Sequence, residues 1–228
     1  MVAPAPRIWV VIAAYNEAPV IADVVADVRR AGYAPVVVDD GSTDRTGAVA
    51  AAAGAVVVRH PVNLGQGAAL QTGIEFALGE GAEIVVTFDA DKQHRAADIA
   101  GLIAVLQQES ADFALGSRFL GDSLNQPRSR RMLLKAATWF TRLTTGLRVT
   151  DTHNGLRAMT RRGAQSVNLR QNRMAHASEI LHQIAGSGLK YVETPVTIEY
   201  SAYSLAKGQT LGDALMILTD LFARRLQR

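Results

Sequence analysis

Short apolar runs, rich in valine and isoleucine, alternate along the first half of the chain with segments whose apolar residues recur every three or four positions. The runs predict buried strands at 8–13, 36–38, 56–58 and 84–88. The segments between them predict helices that end at Gly32, near Gly54 and at about Leu78, and Thr43 or Asp44 can cap the second of these. This alternation predicts right-handed β-α-β units on a parallel sheet.

The second half of the chain carries weaker patterns. They predict strands at 113–116 and 195–200, a polar turn at 150–157 leading into another short strand, and helices at about 95–107, 127–147 and 176–185. A leucine stripe from Leu211 to Leu226 predicts a terminal helix. That helix is expected to pack on the core, on a partner subunit or on lipid headgroups.

The predicted helix at 127–147 is both basic and amphipathic. One face carries Met132, Leu133, Ala136, Phe140 and Leu143, and another carries Arg128, Arg131, Lys135 and Arg142 within about 60° of each other. Such a helix either lies on a membrane surface or packs on the core as an ordinary surface helix. The sequence leaves both alternatives open.

The amino-acid composition excludes several kinds of functional site. The chain has 228 residues, 48% hydrophobic and 20% charged, which is typical of a globular protein. It has no cysteine, so disulfides, thiolate metal sites and a cysteine nucleophile are excluded, and a reducing compartment fits. We expect neither a signal peptide at residues 1–7 nor a membrane span, because no apolar run approaches about 18 residues.

Charge is unevenly distributed, although the net charge is only +3. Residues 1–117 hold 7 basic and 14 acidic side chains, whereas residues 118–173 hold 12 basic side chains and only two acidic ones. An acidic half that can hold a metal is thus followed by a basic segment that can hold anions. Nucleic acid is not the expected anion, because aromatic residues are too few and too scattered there to stack bases.

The candidate chemistry centres on Asp89-Ala90-Asp91, which follows the strand predicted at 84–88. In an extended chain, residues i and i+2 point to the same side, so Asp89 and Asp91 are expected to aim the same way with Gln93 behind them. Two carboxylates and an amide oxygen suit a hard divalent cation, Mg²⁺ or Mn²⁺. The alternative is a solvated strand end that happens to be acidic.

Two further polar clusters, Tyr15-Asn16-Glu17 and Asp39-Asp40, follow the first two predicted strands. Ligands of parallel sheets bind outside the carboxyl ends of the strands, so three clusters at such ends favour a functional site. No G-x-G-x-x-G follows the first strand and no G-x-x-x-x-G-K-[ST] occurs, which disfavours dinucleotide-binding and P-loop classes. Four histidines are expected to be structural or solvent-facing rather than metal ligands: His94, His153, His176 and His182.

Six motifs occur in the order typical of family-2 glycosyltransferases of the GT-A fold: VVIAAYNE, VVVDDGSTD, FDADKQH, GSRF, DTHNGLR and YSLAKGQ. The chain resembles in particular the dolichol- or polyprenol-phosphate mannosyltransferase-like group. The resemblance covers about 8–209 and implies an α/β, Rossmann-like, mostly parallel sheet flanked by helices, with basic amphipathic helices in the C-terminal half. It implies one GT-A domain at 1–208. Together with the charge distribution and the leucine stripe, it predicts a nucleotide-sugar-binding half at 1–117, an acceptor half at 118–208 and an amphipathic helix at 209–228.

The resemblance also implies roles for individual residues. Nucleotide-sugar binding is implied for Ala14, Tyr15, Glu17, Val38, Asp40, Asp89, Ala90 and Asp91. The metal would be held by Asp89, Asp91 and Gln93, and the catalytic set would be Asp89, Asp91 and Arg118. Acceptor phosphate binding is implied for Arg118, Arg131 and Lys207, with Arg130 as the alternative to Arg131.

Three positions depart from the family pattern. Ala14 stands where proline is usual, Lys92 where glycine is usual, and Glu199 where arginine is often found. A lysine beside the cation would weaken metal binding or contact the diphosphate itself. With Glu199 in place of arginine, the family's acceptor site is not carried over unchanged at this position.

The implied reaction is a metal-dependent, inverting transfer of a hexose from a GDP-mannose- or UDP-glucose-type donor to polyprenyl or dolichyl phosphate. The implied location is the cytoplasmic face of a membrane, with the protein bound peripherally.

A phosphate acceptor is mostly dianionic at pH 7 and needs no strong base, whereas a hydroxyl acceptor needs one, for which Glu179 and Asp151 are candidates. The alternatives are transfer to a soluble or glycan hydroxyl and a nucleotide-sugar-binding subunit without turnover. A homo-oligomer or a membrane subunit is left open as a partner of the C-terminal helix.

Overall fold

The computed structural model describes residues 7–171, 176–201 and 203–204. Its strands and helices alternate along the first half of the chain, as the sequence predicts. In chain order they are β1 (Ile8–Ala14), α1 (Ile21–Arg30), β2 (Ala34–Asp39), α2 (Thr46–Ala52), β3 (Val56–Arg59), α3 (Gln66–Gly79), β4 (Ile84–Asp89), α4 (Asp98–Gln108), β5 (Phe113–Leu124), α5 (Arg128–Thr145), β6 (Arg157–Thr160), α6 (Arg161–Ser166), α7 (His176–Ser187) and β7 (Tyr191–Glu199).

The seven strands form one sheet in the order β3-β2-β1-β4-β6-β5-β7. Strands β1 to β4 pair in parallel, as β-α-β units require, and β5 pairs with β7 in parallel. β6 lies antiparallel between β4 and β5. The expected α/β fold with a mostly parallel sheet is therefore confirmed.

Apolar residues fill both faces of this sheet. Val10 and Ile12 of β1 pack with α1, α2 and α4 on one face, while Val11 packs with α3, α6 and α7 on the other. This alternation follows from the period of two in a strand. Strands covered on both faces read as continuous apolar runs, which is why the first four were visible in the sequence.

Several expected boundaries were wrong. β5 continues to Leu124 instead of ending at position 116, because its second half pairs with β7, which begins at Tyr191 and not at 195. The short helix α6 was not anticipated. Neither Thr43 nor Asp44 is the N-cap of α2, since Arg45 takes that position, although the Asp44 carboxylate accepts the N–H of Thr46 at 2.9 Å.

Helix α5 turns its apolar face outward. Met132 is 74% exposed, and Trp139 and Leu143 are each 65% exposed, whereas the buried positions include Thr138 and Thr141. The interpretation of α5 as an ordinary helix with its apolar face on the core is therefore wrong for these three residues. In the ranges that the structure describes, no helix combines the length and apolar character needed to cross a bilayer.

Candidate functional site

The carboxyl ends of β1, β2 and β4 meet at one edge of the sheet. β1 lies between the other two, and its register places Ala14 beside Asp39 and Ala13 beside Asp89. The polar clusters after these three strands therefore lie next to one another, as parallel pairing requires. The predicted convergence of the three clusters is present in the structure.

Hydrogen bonds tie the loop after β1 to the loop after β2. Asn16 has a left-handed backbone with φ 54°, accepts the N–H of Thr43 at 2.9 Å and donates its own N–H to Ser42 Oγ at 3.0 Å. Asparagine adopts this conformation more readily than most residues. The network leaves Tyr15 43% exposed at the sheet edge and buries Glu17. Both residues implied in nucleotide binding are thus held at this edge.

A distant segment of the chain reaches the same loop. The hydroxyl of Tyr203 donates to Glu17 Oε2 at 2.7 Å, across 186 positions of sequence. Burial, together with the hydrogen bond to Glu17 and its charge, raises the pKa of Tyr203 well above its usual range. No local pattern indicated this contact, because it depends on where the chain goes after β7.

The Asp40 carboxylate is buried and holds the turn before α3. It accepts the N–H groups of Leu64 at 2.9 Å and Gly65 at 2.8 Å, and it contacts His60 Nδ1 at 2.8 Å. Val38, also implied in nucleotide binding, has a fully buried side chain, so a nucleotide could contact only its backbone. The nucleotide roles of Asp40 and Val38 stay predictions, and Asp40 has a structural role besides.

Asp89 is the last residue of β4, and its carboxylate is held from three sides. His94 Nε2 lies 2.8 Å from Oδ2, and Gln66 donates to Oδ1 at 3.3 Å. Gly155 packs so closely that a Cβ atom there would lie 2.3 Å from both carboxylate oxygens. Burial acts to raise the pKa of Asp89, but the charge and hydrogen bond of His94, together with the charges of Arg157 and His176, lower this pKa below its usual value.

Asp91 lies in a turn and not in an extended chain, so the expected strand-like alignment of the two carboxylates was wrong. They are nevertheless neighbours: burial, followed by the charge of Asp89, raises the pKa of Asp91 to about 6. Gln93 donates its side-chain amide to Asp91 Oδ2 at 2.7 Å and its backbone N–H to Oδ1 at 3.1 Å. Its amide nitrogen, and not its oxygen, therefore faces the site in this state.

Two departures from the family pattern have a structural explanation. Lys92 has φ 62°, a left-handed conformation in which glycine is unstrained, and its ammonium group lies 2.7 Å from Asp23 on α1. It is thus paired with α1 and does not pair with Asp89 or Asp91. Glu199 forms an ion pair with Arg95 at 2.5 Å.

The Asp89–Asp91 pair fits Mg²⁺ or Mn²⁺ if substrate oxygens complete the coordination. Among the described residues, no group of three or more His, Asp or Glu side chains is placed to hold a metal on its own. Magnesium is commonly bound by one or two carboxylates together with water and substrate phosphates. The charge of Asp89 raises the pKa of Asp91, and a bound cation would relieve this repulsion between the two half-buried carboxylates.

Arg118 is buried and engaged by the protein. Its Nε and backbone N–H donate to Asp151 Oδ2 at 2.6 and 3.2 Å, its Nη1 donates to Tyr200 at 2.6 Å, and its Nη2 donates to the carbonyl of His153 at 2.5 Å. The side chain ties β5 to the loop at 150–154 and to the end of β7. Direct contact of Arg118 with the reacting phosphates stays a prediction. It would use the guanidinium N–H groups that are not donated to these protein partners.

Both carboxylates named as candidate bases have other partners. Asp151 forms the buried ion pair with Arg118 and also accepts the N–H of His153 at 3.2 Å. Glu179 accepts the backbone N–H groups of Arg170 and Gln171 at 2.9 to 3.1 Å. Neither is positioned by these contacts as a free general base.

Two of the four histidines, His94 and His176, lie close enough to Asp89 to lower its pKa, and His153 lies near Asp151. His94 is buried, and among the described residues its Nδ1 has no hydrogen-bond partner. Burial lowers the pKa of His153 to about 4, and His176 is buried nearby. Only His182 is exposed, as expected for a solvent-facing residue. The position of His94 directly after the D-x-D-x-Q run was the signal that could have identified it.

Of the remaining predicted acceptor residues, the structure describes Arg131. Arg131 is exposed on α5. Lys207 and the predicted helix at 209–228 lie outside the described residues, so their roles stay predictions.

Comparisons with known proteins agree with this architecture. The model of "Glycosyl transferase family 2" matches residues 9–166. A UDP-N-acetylglucosamine–dolichyl-phosphate N-acetylglucosaminyltransferase of Methanococcus voltae is 32% identical, over 96% of this chain and 94% of the relative. A polyprenol monophosphomannose synthase of Mycolicibacterium smegmatis is 30% identical, over 100% of this chain and 91% of the relative.

A solved structure carries the same fold. The glucosyl-3-phosphoglycerate synthase of Mycobacterium tuberculosis, in complex with Mn²⁺, UDP and phosphoglyceric acid, superimposes with a TM-score of 0.74 at 21% identity. The match covers 96% of this chain and 78% of that one. The GT-A fold expected from the motifs is therefore confirmed.

Proposed function

Because the chain belongs to glycosyl transferase family 2 and is a glycosyltransferase, we propose that it transfers a hexose from a nucleotide sugar to polyprenyl or dolichyl phosphate. The donor is of the GDP-mannose or UDP-glucose type. The observation that carries the proposal is the Asp89–Asp91 pair at the end of β4, on the same sheet edge as Glu17 and Tyr15. Two relatives are named for transfer to dolichyl phosphate and for synthesis of polyprenol monophosphomannose. Their names support a polyprenyl-type phosphate as the acceptor.

The donor side requires charge neutralisation. Breaking a sugar–diphosphate bond leaves negative charge on the β-phosphate, and a divalent cation, when bound, stabilises that charge. Asp89 and Asp91 would hold the cation, with Gln93 beside Asp91. His94 and Gln66 orient Asp89, so its carboxylate is fixed before substrate arrives.

The acceptor side favours phosphate over hydroxyl. A phosphate monoester is already ionised near neutral pH, so the protein only has to bring two anions together. A hydroxyl would need a base, and Asp151 and Glu179 are both committed to other hydrogen bonds. Transfer to a soluble or glycan hydroxyl is thus the weaker alternative. The pairing of Lys92 with Asp23 and of Glu199 with Arg95 removes the reason to infer a subunit without turnover.

A lipid acceptor places the protein at a membrane surface, and α5 supports that location. Its outward face combines Met132, Trp139 and Leu143 with Arg131 and Lys135. Apolar side chains flanked by basic ones suit the boundary of an anionic bilayer. We therefore place the protein peripherally on the cytoplasmic face, with α5 against the lipid.

The test is a transfer assay with purified protein, undecaprenyl phosphate in detergent, and GDP-mannose, UDP-glucose or UDP-N-acetylglucosamine in separate reactions. Mass spectrometry should detect a glycosylated lipid phosphate with one donor and only with Mg²⁺ or Mn²⁺. Asp91→Asn should reduce product at least about 100-fold, while Asp27→Asn, an exposed carboxylate on α1, should not. Full activity of Asp91→Asn, or transfer that does not depend on the lipid phosphate, contradicts the proposal.

A further inference from the structure

Arg157 is the first residue of β6, the strand that pairs with β4, and β4 ends at Asp89. It pairs with Thr87 of β4 on one side and with Leu115 of β5 on the other. Two residues earlier, Gly155 packs against the Asp89 carboxylate, and Thr87 Oγ1 donates to the Gly155 carbonyl at 2.6 Å. The backbone thus carries Arg157 past the carboxylate that the proposed cation needs.

The Arg157 side chain is buried, with 3% of its surface exposed, yet its guanidinium forms no hydrogen bond or ion pair with any residue in the described ranges. Arg118, equally buried, shows the usual arrangement, with Asp151, Tyr200 and a carbonyl on its nitrogens. A guanidinium that is largely withdrawn from water and has no protein partner is costly. Its nitrogens are not among the fully enclosed unpaired atoms of the described residues, so they stay open to a ligand. Burial accordingly lowers the pKa of Arg157, although arginine remains charged in proteins.

The charges of nearby carboxylates do not explain why Arg157 is buried without a hydrogen-bond partner. Asp89 and Asp151 are the carboxylates close enough to stabilise its charge. Each already has a nearer cationic or neutral donor, His94 at 2.8 Å for Asp89 and Arg118 at 2.6 Å for Asp151. Arg157 is thus a third donor group beside two carboxylates that already have partners. We expect its N–H groups to bind a ligand from outside the protein.

We propose that Arg157 binds a phosphate oxyanion of the substrate with its free N–H groups. A guanidinium presents its donors in a planar fork that matches two phosphate oxygens. The donor diphosphate and the acceptor phosphate share this chemistry and would both lie near Asp89. The inference rests on the proposed function and assigns one of its phosphates to a residue outside the expected site.

Calorimetry on the full-length chain tests the assignment. GDP, UDP and pyrophosphate are titrated with Mg²⁺ into wild type, Arg157→Met, Arg157→Gln and the control Arg30→Met. Farnesyl phosphate is titrated as the soluble acceptor probe, and guanosine and uridine are titrated as ligands without phosphate. We expect Arg157→Met and Arg157→Gln to weaken at least one phosphate ligand about tenfold or more and to leave guanosine and uridine binding unchanged. Loss confined to the diphosphates assigns Arg157 to the donor, and loss confined to farnesyl phosphate assigns it to the acceptor.

Thermal unfolding separates this role from a structural one. Because Arg157 has no protein hydrogen bond to lose, Arg157→Met should melt at or above the wild-type temperature. Phosphate affinities within twofold of wild type in both variants overturn the inference, and so does a wild type that binds none of these phosphates. A wild type that binds diphosphate through Arg157 but transfers no sugar to polyprenyl phosphate contradicts only the proposed function.

Discussion

The ammonium group of Lys92 lies 2.7 Å from the carboxylate of Asp23, although Lys92 directly follows Asp91 in sequence. The left-handed backbone of Lys92 accompanies this outward pairing. A lysine that the sequence placed beside a cation is therefore paired with helix α1. Glycine at the same position would fit the backbone and lose only an exposed pair.

Lys92→Gly is accordingly expected to keep cation binding within about twofold of wild type. Relief of the left-handed strain, roughly 1 kcal/mol, should leave stability unchanged or slightly higher. Calorimetry with Mn²⁺ and urea unfolding measure the two quantities. A rise or fall in Mn²⁺ affinity beyond about tenfold would show that Lys92 acts on the site after all.

Gly155→Ala should damage the site through Asp89. The new Cβ atom would lie 2.3 Å from both carboxylate oxygens, so Asp89 must leave its position against His94. We expect Mn²⁺ affinity and transfer to fall at least about tenfold. Gly101→Ala is the matched control, because it lies in helix α4 with open space around it and should gain about 0.5 to 1 kcal/mol. Equal behaviour of the two variants would refute the argument.

Cation binding should weaken in acid. The pKa of Asp91 is raised to about 6, and a cation needs the deprotonated carboxylate. Affinity for Mn²⁺ should thus be constant above about pH 7 and decline as pH falls through about 6. The free energy of unfolding of the metal-free protein should change with pH in the opposite direction. The Asp91 carboxyl favours folding below its unfolded pKa near 3.8, and this contribution is lost as pH rises through about 6. Calorimetry between pH 5 and 8 measures the first effect, and Asp91→Asn should abolish both.

The buried pair of Arg118 and Asp151 should be essential for stability. Arg118→Ala leaves Asp151 without its cation in a buried site, which is expected to cost about 3 to 5 kcal/mol. Arg95→Ala breaks the exposed pair with Glu199 and should cost no more than about 1 kcal/mol. Urea unfolding of both variants measures the difference. An Arg118 variant that is inactive but as stable as wild type would instead point to direct substrate contact.

Membrane binding should depend on the outward face of α5. Trp139→Glu removes an exposed aromatic, so binding to vesicles with anionic lipid should fall about tenfold without loss of stability. Val56→Glu changes another exposed apolar residue, on β3, and should have little effect. Co-sedimentation with vesicles of phosphatidylglycerol and phosphatidylcholine measures the binding. Equal losses in both variants would argue against α5 as the membrane face.

The sequence by itself determined the order of strands and helices in the first half and the edge at which the polar clusters meet. Both follow from local patterns, because a strand covered on both faces is apolar throughout and parallel strands end at the same edge. The positions of Asp89 and Asp91 at that edge were therefore predictable from their place after an apolar run. The motifs added the family, and with it the fold of the second half.

Only the tertiary structure decided which partners these side chains take. The extension of β5 depends on β7, and the engagement of Glu17 depends on Tyr203, far away in sequence. The direction of Lys92 and the unpaired burial of Arg157 likewise depend on elements that pack against them. Hydrogen bonds, burial and charge act between residues that are distant along the chain, so a local pattern of apolar and polar positions does not contain them.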